Sequence, residues 1–166
     1  MRRRTTLVGV AVLVTLIVLP CAYLHWGLRR MAEEDANINM KYILVALLMY
    51  ADGNSQCLPD VGGATGLARL FDAGVLAADD RRLLHHPLAG RRALLSSGPV
   101  TESEVGFYYA GGHRRGEPAD TVVLVEKRPE TKEEGYVGYL DGRVLRLRGQ
   151  PWRQVAQSVP AMARHP

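Results

Sequence analysis

Two cysteines in 166 residues are too few for a disulfide framework, so a small cross-linked scaffold is excluded. Cys21 lies in an apolar stretch and Cys57 beyond a long helical one. The two reach each other only if that helix ends early, so both are expected as free thiols. Glycine and proline are missing from Leu28 to Tyr50, and nothing there stops a helix before Asp52-Gly53. Charge is missing from Leu7 to Leu24, which reads LVGVAVLVTLIVLPCAYL. No internal repeat is present, and no small-x-small cleavage site follows the apolar run.

The uncharged run has the length of a membrane span. A helix needs roughly 20 apolar residues to cross a hydrocarbon core, and Thr5 to about Leu24 supplies them, with Tyr23 and Trp26 at the place of an interfacial belt. Arg2, Arg3, Arg4 and the terminal amine compete with Arg29 and Arg30 for the cytoplasmic side, and the balance favours a cytoplasmic N-terminus. The expectation is a single-pass inner-membrane protein with the lipid bilayer as one partner and a periplasmic or otherwise extracytoplasmic domain. Two other readings use the same residues. In one, Arg2–Arg4 and Leu7–Leu19 form a cleaved signal peptide; in the other, Cys21 is lipidated, against which Pro20 stands in place of a small residue. Roughly 115 to 140 residues remain for one small domain. Part of the net charge of +4 belongs to Arg2–Arg4, so a nucleic-acid partner is not expected.

After the apolar run the helical pattern continues as a stalk. Ile38, Tyr42, Val45 and Met49 recur at helical spacing, as do Met40, Leu44, Leu47 and Ala51. Taken as adjacent stripes, they predict a wide buried face on the upper stalk, with a polar, solvated stretch from Arg29 to Asn39. Asp52-Gly53-Asn54 is expected to end the helix in a left-handed conformation. Thr65 would cap a short helix over Leu67–Phe71 that Gly74 stops. A helical turn over Ala77–Leu84 would end at Pro87, and Gly90–Thr101 reads as irregular. The period then changes to two. Val105–Ala110, Thr121–Glu126, Tyr136–Leu140 and Arg143–Leu147 read as four strands. Asp141-Gly142 between the last two is the favoured type I′ hairpin turn. One helical turn over Trp152–Ser158 is expected in the tail. The fold class is α+β: an N-terminal transmembrane helix continuing into a long stalk helix packed on a small antiparallel β-sheet. The expected divisions are 1–28, 29–53, 54–104, 105–149 and 150–166.

In this order of parts the chain resembles the type IV pilin-like and type II secretion pseudopilin-like proteins, specifically those with a C-terminal Asp-Gly hairpin. Three stretches carry the resemblance: Asn37–Asp52 (NINMKYILVALLMYAD), Thr121–Lys127 (TVVLVEK), and Tyr136–Leu147 around Asp141-Gly142-Arg143-Val144. The resemblance implies a membrane-anchored structural component of a secretion or pilus-like envelope assembly, with other single-span pilin-like helices as partners. It implies no catalytic role and no cofactor. Members of the family carry a Gly-Phe-Thr-Leu-Ile-Glu processing motif at the N-terminus. Here Arg4 stands in place of its Gly, Thr5 follows, and Gly9 stands in place of its Glu, so the processing region is degenerate. His86-Pro87 replaces the family's Cys-Pro, and Thr131 replaces a His. The rival from another class is a signal-anchored or lipid-tethered extracytoplasmic binding module with no role in filaments, favoured by the missing processing motif and the basic loops.

Other candidate residues have plainer readings. Adjacent His85 and His86 point apart and have no ligand cluster at metal spacing. Ser96-Ser97-Gly98-Pro99 lacks a nucleophile elbow, and Cys57 lacks a His-Asn arrangement. Asp79-Asp80 and the loop with Glu130, Glu133 and Glu134 lack the oxygen-ligand spacing of a calcium site. His113, Arg114, Arg115, Arg143, Arg146 and Arg148 could form a basic patch or simply a solvated sheet face. No metal, cofactor or catalytic residue is expected, and Asp141-Gly142 is read as a structural turn.

Overall fold

The structure is a computed structural model that describes residues 2–85, 98–128 and 132–162, with the side chains of 2–20, 22, 29 and 159–162 left out. The chain divides into two compact units, Met1–Glu34 and Asp35–Pro166. Helix α1 runs from Arg2 to Gly53, as the absence of glycine and proline after Leu28 requires.

The expected transmembrane helix is corrected. Among the described residues no helix is long and apolar enough to cross a membrane. The described side chains of α1 start at Cys21 and soon meet Arg30, Glu33, Glu34 and Asp35, charges that are costly to hold in hydrocarbon. The side chains of Leu7 to Pro20, on which the span was read, lie outside the described residues. In this first unit Tyr23 and Trp26 pack ring to ring at 6.3 Å. Arg30 lies over the Trp26 ring and pairs with Glu34 one turn on at 3.3 Å.

The second unit is α+β. A four-stranded antiparallel meander, β1 (Phe107–Tyr109), β2 (Val122–Glu126), β3 (Glu134–Tyr139) and β4 (Val144–Arg148), lies in the order β1-β2-β3-β4. The β-branched and aromatic runs form the strands, as the alternation requires, although β1 is shorter than Val105–Ala110 and β3 starts two residues earlier than Tyr136. A bulge between Val122 and Leu124 lets both Val123 and Leu124 join the larger core. That core joins Met40, Ile43, Leu44 and Leu47 of α1 to Leu67 and Leu70 of α2 (Gly63–Asp72) and to Phe107, Tyr109 and Tyr136 of the sheet. A smaller cluster gathers Ala110, Val125 and Val137 around Trp152 of α3 (Gln150–Met162), with Tyr108 and Leu147 packed against it. Gly138 admits Leu44 and Gly135 admits Trp152, each at a spot a Cβ would occupy.

Two local expectations change. Thr65 is not the cap of α2, since the cap position is Gly62 without a side-chain bond, and Glu102 accepts the Ala64 N–H from across the fold. The end of α1 does not use Gly53 or Asn54 as its left-handed residues. Ser55 and Gln56 take that conformation, with φ of 56° and 62°, while Asn54 Nδ2 donates back to the Tyr50 carbonyl at 2.8 Å. Gly74 stops α2 as expected, with φ of 69°. A 3₁₀ helix follows over Ala78–Leu84; Pro87 and most of the Gly90–Thr101 stretch lie outside the described residues. The tail forms thirteen helical residues where one turn was expected.

The largest correction concerns the stalk. Met40, Leu44, Leu47 and Ala51 are buried, but Ile38, Tyr42, Val45 and Met49 are 48%, 59%, 53% and 56% exposed. A shift of two residues turns about 200° around an α-helix, so the two stripes lie on opposite faces. The sheet covers one of them. Ala36, expected to be solvated, belongs to the buried side.

Candidate functional site

The surface of α1 between Asp35 and Asp52 carries four of the five large apolar side chains exposed among the described residues of the second unit. Its inner face is the core just described. Its outer face carries the four exposed apolar residues at spacings of four, three and four, the pattern of a helix that packs against another helix. The residues flanking it that are not buried are Asn39, Lys41 and Leu48, so no acidic side chain interrupts the stripe between Ile38 and Met49. Contiguous exposed apolar side chains are a feature that contact surfaces share.

The residues singled out in the sequence fall elsewhere. Arg4, Thr5 and Gly9 are on the α1 backbone, and their side chains lie outside the described residues. His85 is buried beside Leu84, with Nδ1 2.9 Å from the Glu104 carbonyl oxygen. His86, Ser96, Ser97 and Glu130 lie outside the described residues. Asp80 accepts the Ala77 N–H at 3.0 Å, which closes the start of the 3₁₀ helix. Among the described residues no group of three or more His, Cys, Asp or Glu could hold a metal ion. Cys21 and Cys57 are free thiols.

Most of the basic residues are held in ion pairs. Arg146 and Arg148 both pair with Glu134, Arg143 pairs with Asp141, Arg153 with Glu133, and Arg115 with Asp52. Arg143 also lies over the Tyr139 ring and Arg146 over the Tyr136 ring. His113 Nδ1 is 2.7 Å from Glu117, and the loop holding it bonds to the segment after α1 through Leu58 N–H to His113 and Arg115 N–H to Gln56. These contacts fix loops in place and offset part of the positive charge internally.

Asp141 and Gly142 do form the β3–β4 turn, but not as type I′. Tyr139 N–H reaches the Arg143 carbonyl and Gly142 N–H the Tyr139 carbonyl, both at 2.9 Å, and Gly142 alone is left-handed with φ of 86°. That is a three-residue loop, a tight turn closed by a glycine bulge. Asp141 accepts the Arg143 N–H at 3.0 Å, which together with the Arg143 side chain holds its carboxyl below the usual range. Gly142→Val forces a β-branched residue to positive φ and is expected to cost roughly 1 to 3 kcal/mol, read as a lower Tm.

Two carboxylates that periodicity does not reveal tie distant segments together. Glu102 accepts the Ala64 N–H at the start of α2 and bonds Lys127 at 2.7 Å, while Lys127 lies over the Tyr108 ring. Burial works against the charge of Glu102, yet the bonds from Lys127 and Ala64 and the charge of Lys127 together hold its carboxyl below 4.5. Glu134 is held low chiefly by its hydrogen bond to Arg146. Each folded value lies below the unfolded one, so this contribution to stability is complete above the ordinary carboxylate range and is lost as pH falls through the folded values. Tm is therefore expected to drop on acidification from pH 5 toward pH 3, and Glu102→Gln should flatten that drop. A drop of equal size in the variant would show that Glu102 does not contribute.

No protein-family model, curated protein or solved structure matches the chain.

Proposed function

We propose that the chain is a pilin-like structural subunit of a type II secretion or type IV pilus-like envelope assembly, acting through helix-to-helix contact and not through a reaction. The observation that carries the reading is the two-faced α1 segment from Asp35 to Asp52, buried under the sheet on one side and apolar yet exposed on the other. A meander sheet packed on one face of a long helix leaves the opposite face for assembly, and an exposed stripe of four apolar residues fits that use. The sequence resemblance over Asn37–Asp52, Thr121–Lys127 and Tyr136–Leu147 supports the same class. The spanning helix, and with it attachment by a single membrane pass, is not part of the proposal. The partners are helices of pilin-like subunits, and the second unit is placed on the extracytoplasmic side.

The test is made in the native host. Val45→Asp should leave the steady-state level of the protein near normal and reduce envelope assembly or secretion at least tenfold. Asp72→Asn, on the exposed end of α2, serves as the control and should change neither. Full secretion with Val45→Asp at normal protein levels overturns the reading.

A further inference from the structure

We infer that the free edge of β4 takes an extended segment of another polypeptide as a fifth strand, one that alternates acidic and apolar side chains. This edge belongs to the sheet and not to α1, so its occupant is independent of the assembly contacts proposed above.

The hydrogen-bond phase of the β3–β4 hairpin fixes which backbone groups are open. Tyr139 N–H reaches the Arg143 carbonyl at 2.9 Å, and Gly149 N–H reaches the Glu133 carbonyl at 2.7 Å. In the register between them Val137 lies opposite Leu145 and Gly135 opposite Leu147, so these are the hydrogen-bonded pairs of the ladder. The backbone groups of Val144, Arg146 and Arg148 therefore point away from β3, and β4 is the last strand of the sheet. Among the described residues no backbone hydrogen bond reaches them from outside the ladder. The opposite edge is closed: α2 packs on β1, and Gly106 donates its N–H to the Leu84 carbonyl at 2.7 Å. β4 has no proline, its ladder with β3 runs without a bulge, and α3 crosses the sheet with Trp152 over Gly135. Such an edge is a template for one more strand.

The side chains of β4 specify what that strand carries. Alternation puts Val144, Arg146 and Arg148 on the face of Tyr136 and Gly138, and Leu145 and Leu147 on the face of Val137 and Trp152. β4 holds two cations and no acid. Both guanidiniums turn back to Glu134 of β3, and Arg148 bonds it through Nε at 2.7 Å while its side chain stays 70% exposed. A carboxylate opposite either arginine meets a cation, and a like charge there is repelled. On the other face Leu145, 42% exposed, offers apolar surface to the residue opposite it. A second copy of β4 fits poorly, because pairing two-fold about Arg146 sets Arg146 against Arg146. One added strand is a small interface, so binding is expected to be weak and salt-sensitive.

The experiment uses the purified full chain and a synthetic peptide, Thr-Val-Glu-Val-Glu-Val-Thr, which reads the same in both directions and so removes strand direction as a variable. Amide hydrogen exchange followed by NMR is the readout. The peptide should slow exchange at Val144, Arg146 and Arg148 at least tenfold, while Leu145 and Leu147, already bonded to β3, change little. Replacing both peptide glutamates with lysine should abolish the protection. Arg148→Glu should weaken binding of the glutamate peptide roughly fivefold and strengthen binding of the lysine peptide, with Arg148→Gln between the two. No protection at about 1 mM peptide overturns the docking. Equal protection by the two peptides overturns the acidic partner. Protection of the same three amides that rises with the concentration of the unaltered chain alone overturns a foreign strand in favour of a second copy.

Discussion

Glu126→Ala is expected to cost about 4 kcal/mol, a large fraction of the stability of a domain this size. Glu126 sits at the end of β2 with its side chain fully enclosed, 2.8 Å from the guanidinium of Arg128, whose side chain is 3% exposed. It also accepts the Tyr136 N–H of β3 at 3.0 Å. Removing the carboxylate takes the counter-charge from an enclosed guanidinium and a bond from an enclosed backbone donor, and water cannot replace either cheaply. Glu126→Gln keeps an acceptor for Tyr136 and a neutral one for Arg128, so its loss should be distinctly smaller. Urea unfolding of the three proteins measures both differences. An alanine variant as stable as the parent would mean that the pair does not hold the β2–β3 edge together.

Gly66→Ala, next in size, is decided by two opposing effects. In the interior of a helix alanine is favoured over glycine by about 1 kcal/mol. Gly66 is nevertheless the point where α2 passes over the Val61 carbonyl and the Tyr109 ring. A Cβ there would overlap the carbonyl oxygen and lie 2.6 Å from the ring. Tyr109 cannot step aside, since it is fully buried and its hydroxyl donates to the Pro59 carbonyl at 2.8 Å. Overlap with backbone exceeds the propensity gain, and the net loss is expected to be about 3 kcal/mol, a drop in Tm of roughly 10 °C. Gly74→Ala, with open space around it but φ of 69°, should lose less. A Gly66→Ala protein more stable than the parent would mean that α2 does not pack on β1 as described.

The meander was legible in the sequence because its strands are runs of β-branched and aromatic residues separated by glycine-rich turns, as at Thr121–Glu126 and Asp141-Gly142. The long helix was legible from what it lacks. Its polarity was not: helical periodicity marks both stripes of the stalk as apolar, and the two-residue offset that sets them on opposite faces does not say which one the sheet covers. Helix α3 extends beyond the single turn expected, and Pro151 sits at its start, where its missing N–H has no intrahelical partner to lose. Glu126 with Arg128, and Glu102 with Ala64 and Lys127, join segments 2 to 38 residues apart through side chains. No periodicity announces such contacts. The outer stripe, which carries the functional reading, was visible as residues and misplaced as structure.

The two faces of α1 are tested most directly by comparing adjacent residues with the same substitution. Leu44, 2% exposed, faces the sheet, and Val45, 53% exposed, faces away. Thermal melts of Leu44→Asp and Val45→Asp should differ completely. Leu44→Asp buries an unpaired carboxylate at a cost of several kcal/mol and should leave no cooperative transition, while Val45→Asp should melt within about 0.5 kcal/mol of the parent. A Val45→Asp protein that fails to fold, or a Leu44→Asp protein that melts like the parent, would contradict the assignment of the outer face and every functional inference built on it.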